Sequence, residues 1–483
     1  MKNDDALSKA IALHRSGDLA QAEAIYRTLL ASHPNHPSAL NLLGTLYCQR
    51  GQSEEGVKLI EQALTLKPDY ADAHVDYGVA LLQLGRYAAA RASFEKALTF
   101  KPDNAELFNF LGKAYFQEGR RDEGIHWMER AIALKPNYVN AHYDHGVALL
   151  HTGKYADALV SFERATVLEL QYNEAWWNIS LIKLLLGDYK VGWELYEWRW
   201  KRKGQPYQPR LFDRPLWLGK EPLAGKTILL HAEQGFGDTV QWCRYVPMVE
   251  ALGAKVVFEV QPPLQTLIST VKGSYELVVR GSSLPAFDYH CPLSSLPLAL
   301  GTTLDTIPAD VPYLAVSPEK RAAWQALLGT KTKPRIGLVW SGSHTNVNDR
   351  NRSIAPELLL PLLEKNFEYH SLQKDLKPQD REFLKSHPKL VSHSERLSDF
   401  ADTAALIEQM DVIITVDTAV AHLAGALGKR VWILIPFLPD FRWMIKREDS
   451  LWYPTAHLFR QPQIDDWESV VEKVKNTLRQ TNL

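Results

Sequence analysis

Ala71–Asn104 reads ADAHVDYGVALLQLGRYAAARASFEKALTFKPDN. Its small and apolar residues are spaced for two helices that face each other. Gly78 lies inside the first helix, where a missing side chain lets the second approach. Gly85 breaks the chain between them, because glycine supplies the backbone freedom of a tight turn. Ala90, Phe94 and Ala97 fall on one face of the second helix, and Pro102, with no N–H to continue the ladder, ends it. The pattern recurs. Gly17, Gly51, Gly85, Gly119, Gly153 and Gly187 stand 34 residues apart, as do Gly44, Gly78, Gly112 and Gly146, and Pro34, Pro68, Pro102 and Pro136. Three series on one period define a repeat that buries its apolar face only by stacking on its neighbours.

These positions resemble the tetratricopeptide repeat, a helix–turn–helix of this length. The resemblance runs over residues 3–202, as about five clear repeats and one degenerate one. The first unit has Ala10, and the sixth Ser180, where the others carry the glycine of the first helix; terminal repeats have an exposed face to manage. The resemblance implies an all-α superhelix whose concave groove binds a protein or peptide. A spacer or oligomerisation arm is the plainer use. Trp176, Trp177, Trp193, Trp198 and Trp200 crowd the end of the array with Tyr189 and Tyr196. Such rings bury large area, so they are expected to dock the last repeat onto the next domain rather than to stack on a sugar. Residues 203–225, with Pro206, Pro209 and Pro215, read as a linker.

Beyond residue 225 the period stops and strands alternate with helices, which implies parallel sheets covered by helices. Lys226–Ala232, Lys255–Val260 and Tyr275–Val279 are the strands of a first unit, residues 226–315, with an apolar helix over Thr239–Leu252. Residues 316–334 form a linking segment with a helix at Pro318–Leu328. A second unit, 335–483, has strands at Arg335–Trp340, Glu368–Leu372, Lys389–Ser392 and Asp411–Val416, a last strand at Arg430–Ile435, and a terminal helix at Asp465–Leu478. Two Rossmann-like units in tandem leave a cleft between them.

Two strand-to-helix turns carry candidate chemistry. In Gln234-Gly-Phe-Gly-Asp, Gly235 and Gly237 allow backbone amides to come close to a phosphate at a helix N-terminus. A structural turn explains them equally. Asp238 is placed either to act as a general base or to cap the helix. In Asp417-Thr-Ala-Val-Ala-His, the small residues leave the first helical turn open to a diphosphate. His422 reaches a phosphate or sugar from there, or else is a packed histidine beside a capping Asp417 or Thr418.

Residues 226–480 resemble glycosyltransferase family 9, heptosyltransferase-like enzymes of the GT-B fold. The Gly237-Asp238 turn is similar to that family's N-terminal Gly-Asp motif. Asp417–Leu427 followed by Gly428-Lys429 is similar to its donor motif, with Ala419 where the family has glycine. Arg352-Ser-Ile-Ala-Pro stands in place of its Lys-x-Trp-Pro. The resemblance implies that Asp238 deprotonates the acceptor hydroxyl, on the acceptor side formed by the first unit. Asp417 would contact the donor sugar. Thr418, Ala419 and His422 would hold the diphosphate, Ser341 and Gly342 would line the nucleotide pocket, and Arg350 or Arg352 would face the diphosphate. The expected reaction is transfer of a sugar from a nucleotide diphosphate to an acceptor hydroxyl, with inversion and no cofactor. A repeat array ahead of such a domain is similar in layout to the protein O-linked N-acetylglucosamine transferases, which hints at a protein acceptor. The competing readings are a repeat scaffold with an inactive transferase-like domain, and a transferase acting on a surface glycan of the lipopolysaccharide type.

Composition bounds these readings. Lys and Arg total 55 against 56 Asp and Glu, so global charge offers no pull toward nucleic acid. No run of apolar residues is long enough to span a bilayer, and the first residues lack the apolar core of a signal peptide. Cys48, Cys243 and Cys291 have no disulfide or zinc spacing, which fits a reducing cytoplasm. No Asp-x-Asp triplet occurs, so no metal is expected: a helix dipole and basic side chains would neutralise the leaving group.

Overall fold

The computed structural model describes residues 2–202, 204, 209–343 and 349–481. Pro206 of the expected linker and His344 after the Ser341 turn lie outside the described residues. The chain divides into two compact units, residues 1–176 and Trp177–Leu483.

The first unit is helical throughout. α1 (Lys2–Arg15) pairs with α2 (Leu19–Ser32), α3 (Pro37–Gln49) with α4 (Ser53–Leu66), and α5 (Ala71–Gln83) with α6 (Tyr87–Phe100). α7 (Ala105–Gln117) pairs with α8 (Arg121–Leu134), and α9 (Val139–His151) with α10 (Tyr155–Leu168). α11 (Asn173–Leu185) and α12 (Tyr189–Tyr196) form the sixth, degenerate repeat. The division at Trp176 falls inside α11, so most of this repeat counts with the second unit, short of the expected end at residue 202. Gly85 takes φ +71°, and the other five glycines of its series are also positive, a conformation that costs a side-chain-bearing residue about 1 kcal/mol or more. A Cβ on Gly78 would run into the ring of Phe94, and one on Gly146 into Phe162. The packing alternates: Gly44 faces the Gly56 carbonyl and Ile60, and Gly112 faces the Gly124 carbonyl and Met128.

The second unit holds two parallel sheets. The first orders its strands β3-β2-β1-β4, with β1 Thr227–His231, β2 Lys255–Val260, β3 Tyr275–Val279 and β4 Tyr289–Pro292. The second orders them β10-β9-β8-β5-β6-β7, with β5 Arg335–Val339, β6 Glu368–Ser371, β7 Leu390–Ser392, β8 Val412–Val416, β9 Val431–Ile435 and β10 Ala456–Arg460. β5, β8 and β9 are buried along their whole length, as parallel strands with helices on both faces must be. Read from β7 to β10, the second sheet has the doubly wound order 3-2-1-4-5-6.

Four expectations change. β4 and β10 are strands that the sequence pattern did not reveal, so Arg430–Ile435 is not the last. The helix expected over Thr239–Leu252 breaks into α13 (Phe236–Trp242), a tight turn, and Val246–Glu250. Pro247 sits in the first turn of that last piece, where its missing N–H is harmless. The expected linker is partly built into the first sheet: Trp217 is buried, and its N–H donates to the His290 carbonyl of β4 at 2.8 Å. The aromatic residues of α12 cover both halves of the α/β region rather than the first alone. Trp193 meets Trp242 and Phe441 edge-on at 5.9 and 5.6 Å, and Trp452 Nε1 donates to the Tyr189 hydroxyl at 3.2 Å.

Candidate functional site

The second sheet reverses its winding between β5 and β8, and such a reversal opens a crevice at the carboxyl ends of the strands. Two sequence-predicted turns meet there. Ser341 and Gly342 follow β5; Asp417 and Thr418 follow β8. Gly342 N–H donates to Asp349 Oδ1 and Ser353 Oγ, each at 3.1 Å. A Cβ on Gly342 would lie 2.6 Å from Arg352 Nη2, so this glycine admits the guanidinium. Arg352 Nη1 in turn donates to the Asp417 carbonyl at 2.9 Å. Ser341, Gly342, Arg352 and Asp417 are thereby brought together, whereas Arg350 is exposed.

Asp417 is crowded by acid. Burial, then the neighbouring Asp440 carboxylate, push its pKa up to about 6 against the pull of Arg352. Thr418 is the N-cap of the helix Ala419–Ala426, yet its side chain makes no capping bond; its hydroxyl lies 3.2 Å from that of Thr415. The first-turn amides of this helix are not consumed by a capping side chain. His422 is placed as a packed histidine. Its Nδ1 lies 2.9 Å from the Tyr453 hydroxyl, its ring stacks on Trp443 at 5.4 Å, and burial holds its pKa well below the usual range. A neutral, enclosed imidazole gives a phosphate no positive charge.

The first sheet supplies the other turn. Gly235 is the N-cap of α13, and Asp238, three residues on, accepts the Gly235 N–H at 3.0 Å. Asp238 therefore closes back on the cap instead of being the cap. Gly237 serves packing between the halves: a Cβ there would lie 2.9 Å from His422 Cδ2 and 3.3 Å from Ala419 Cα. The N-terminal ends of α13 and of Ala419–Ala426 thus meet face to face.

One residue with no motif to announce it organises this seam. Arg442, on the second half and 8 % exposed, forms an ion pair with Asp238 and donates to Gln241 Oε1, both on α13. It also holds Asp440 through one nitrogen, Nη1, at 3.0 and 2.9 Å. Arg244 crosses in the other direction, donating to the Trp452 carbonyl at 2.9 Å. Burial raises the Asp238 pKa, and Arg442 opposes that rise. Two buried polar atoms near these residues make no hydrogen bond among the described residues, Ser341 Oγ and Gln241 Nε2, and Arg352 Nε lies 3.6 Å from Asp349 Oδ1.

A cavity of about 690 Å³ lies at the carboxyl ends of β1 and β2, lined by Trp200, Arg210, His231, Glu233, Glu259 and Arg280 among others. Glu233 is held by Arg199 at 3.0 and 3.1 Å, and Glu259 by Arg210. His231 is buried with Nδ1 unpartnered, and burial pushes its pKa well down. Among the described residues no helix is long and apolar enough to cross a membrane.

Comparison with known proteins bears on both regions. Residues 13–74, 81–133, 44–105 and 111–171 match the tetratricopeptide repeat. Residues 396–434 match glycosyltransferase family 9 (heptosyltransferase); this stretch contains Asp417, Thr418, Ala419 and His422 and excludes Asp238, Ser341 and Arg352. The chain is 26 % identical to Protein FlbA of Caulobacter vibrioides over 509 aligned residues, covering 99 % of this chain and 72 % of that protein. It is 34 % identical over 62 residues to Protein O-mannosyl-transferase Tmtc2 of Drosophila melanogaster, which is 13 % of this chain and 6 % of that one. Among solved structures, MamA from Desulfovibrio magneticus RS-1 is 22 % identical, covering 35 % of this chain and 97 % of that one, with a TM-score of 0.32. PilW, a type IV pilus biogenesis factor, is 23 % identical, covering 40 % and 90 %, with a TM-score of 0.39. The chain joins tetratricopeptide repeats to an α/β region whose residues 396–434 match glycosyltransferase family 9.

Proposed function

We propose that the α/β region transfers a sugar, with inversion, from a nucleotide diphosphate donor to an acceptor hydroxyl, and that the repeats bind a protein partner or protein acceptor. The observation that carries the reading is the crevice between β5 and β8. There the family-matched Asp417 turn stands beside Arg352, whose guanidinium is paired with Asp349 at 3.6 Å, and Ser341 Oγ is buried without a hydrogen-bond partner among the described residues. A buried hydroxyl left unpaired is costly, and a ligand rich in oxygen acceptors relieves that cost. The diphosphate would lie on the amides at the start of Ala419–Ala426 and on Arg352, and the leaving charge would be met by these groups without a metal. His422 would act through packing.

The acceptor would enter from the cavity on the first sheet. Asp238 lies in the first turn of α13, which follows β1 and the cavity residue Glu233 in the chain. Each of its oxygens keeps a lone pair beyond the bonds to Gly235 and Arg442, so it can take the acceptor proton as the acceptor oxygen attacks the sugar carbon and the nucleotide diphosphate departs. Burial raises its pKa, which strengthens it as a base. The three cysteines are buried free thiols, and the reading places the protein in a reducing compartment.

The tight seat of Gly237 on Ala419 and His422 favours a second reading, a repeat scaffold whose transferase-like region no longer opens for substrate. Incubation with a panel of nucleotide sugars, followed by calorimetry and by donor hydrolysis, separates the two. Saturable binding of one donor, weakened in Arg352→Ala, supports the transferase. Absence of binding across the panel leaves the scaffold.

A further inference from the structure

The repeats alternate, and the alternation reaches polar residues. Asn41 Nδ2 donates to Asp76 Oδ2 at 2.6 Å, and Asn109 Nδ2 donates to Asp144 Oδ2 at 2.7 Å. Each pair spans 35 residues and joins the first helices of successive repeats. The second pair repeats the first two repeats later along the chain. His74 and His142 follow the same rule, their Nε2 atoms lying 2.9 and 3.0 Å from the carbonyls of Pro68 and Pro136. The structural unit of the array is therefore two repeats.

These pairs lie on the inner side of the curve. α1, α3, α5, α7 and α9 each touch the next in the series as well as their own partners, which brings the first helices of the repeats closest together. Asn41 and Asn109 are each 1 % exposed, and the Oδ1 of each is buried without a partner. Asp76 and Asp144 are partly exposed. Further acids stand close: Asp72 and Glu106 act on Asp76 and raise its pKa after burial does, and Glu174 and Asp144 act on Tyr172. Lys101 answers Asp72 at 2.5 Å and Lys113 answers Asp144 at 3.3 Å, while no ion pair is formed by Asp76 among the described residues. The capacity an occupant can reach at both stations is acceptor capacity, in the partly exposed carboxylates of Asp76 and Asp144, while the asparagine oxygens are enclosed behind them. An occupant must supply N–H donors and positive charge.

We infer that the concave face binds an extended, lysine- and arginine-bearing segment of a partner protein at two stations of like geometry, Asn41–Asp76, whose carboxylate has no ion pair among the described residues, and Asn109–Asp144, whose carboxylate is shared with Lys113. This rests on the reading that the array takes a protein partner, and it specifies that partner's chemistry. The two-repeat spacing requires a segment long enough to pass along four repeats.

The full chain is tested by fluorescence anisotropy with three labelled peptides of equal length, built from Lys-Ser-Gly, Gln-Ser-Gly and Glu-Ser-Gly units and long enough to span both stations. The Lys peptide binds, and binding weakens with salt as partly exposed charges are screened. Asp76→Asn and Asp144→Asn each weaken it by about three- to tenfold, and the double variant multiplies the losses. Asparagine is nearly isosteric and its amide oxygen still accepts from Asn41 or Asn109, so thermal melting stays near the parent value. Unchanged affinity in the double variant overturns the stations. Binding of the neutral or acidic peptide as tight as that of the Lys peptide also overturns them, but leaves the array as a chain-binding groove. Failure of all three peptides removes both readings.

Discussion

The two strand-to-helix turns of the α/β region look alike in sequence and are used differently. Each follows a buried strand, each is rich in small residues, and each carries an aspartate. In the first, the aspartate is the third helical residue, closed on Gly235 N–H and paired with Arg442. In the second, the aspartate precedes the cap and faces another acid, Asp440, with its pKa near 6. The glycines of the first turn were candidates for phosphate approach; Gly237 instead lets the two helix ends touch. Small residues at a helix start report that something comes close. They do not report whether it is a ligand or a neighbouring helix.

Substituting Asp238 tests the contrast most strongly. Asp238→Asn keeps the bond to Gly235 through its amide oxygen but cannot take an acceptor proton. Turnover on the true acceptor falls by roughly 10²–10⁴, the range for loss of general base catalysis, while donor affinity measured by calorimetry changes little. Full activity in this variant would leave Asp238 as a structural partner of Arg442.

The glycines come next. Gly237→Ala places a methyl 2.9 Å from His422 Cδ2 and 3.3 Å from Ala419 Cα, and overpacking of this kind costs about 1–3 kcal/mol. Gly235→Ala meets only Asp238 Oδ2, at 3.3 Å, from an ordinary φ of −71°, and stays within about 0.5 kcal/mol. Equal melting temperatures for the two variants would break the assignment of Gly237 to packing.

How much of this the sequence revealed depends on the range of the interaction. The repeats were legible because each glycine, proline and Phe94-like position acts within about one period, so local spacing encodes the contact. The buried strands β1, β2, β5, β8 and β9 were legible as apolar runs. β4 was not, since Tyr289–Pro292 is four residues ending in proline, and β10, at Ala456–Arg460, mixes His457 and Arg460 into its run. The Asp417 turn was read from its strand-to-helix spacing, and Arg352 was named, with Arg350 as the alternative, through the family resemblance. Arg442 was not, because its partner Asp238 lies 204 residues away and neither Phe441 nor Trp443 marks it as polar. His422 matched the donor motif, yet whether it faces a ligand or Trp443 is decided only by tertiary packing.

Asp417 gives a pH test of moderate size. Its pKa is about 6 in the folded chain and near 3.9 when unfolded, so the folded state binds the proton more tightly. The resulting stabilisation is complete below the unfolded pKa and is lost as pH rises through about 6. Asp417→Asn removes this dependence. The variant is more stable than the parent at pH 8, by on the order of 2 kcal/mol, and the difference shrinks toward pH 4. Parallel stability curves for the two proteins between pH 4 and 8 would show that Asp417 does not carry the shift.

The smallest effect sharpens the comparison furthest. Ala419 stands where the family pattern has glycine, at the first residue of the helix Ala419–Ala426. Ala419→Gly costs about 0.5–1 kcal/mol in stability, from lost backbone restriction at a helical position. If the amides behind it receive a diphosphate, removing the methyl widens the approach, and affinity for the donor nucleotide rises by about two- to fivefold. If the turn exists only to pack against α13, affinity does not rise. The same substitution does not rescue Gly237→Ala, because the nearest atoms to the added methyl are His422 Cδ2 and Ala419 Cα, while the Ala419 methyl is 3.7 Å away. Recovery of stability in the double variant would mean that the two turns meet through the alanine methyl, and that the ring of His422 yields more readily than its contacts with Trp443 and Tyr453 imply.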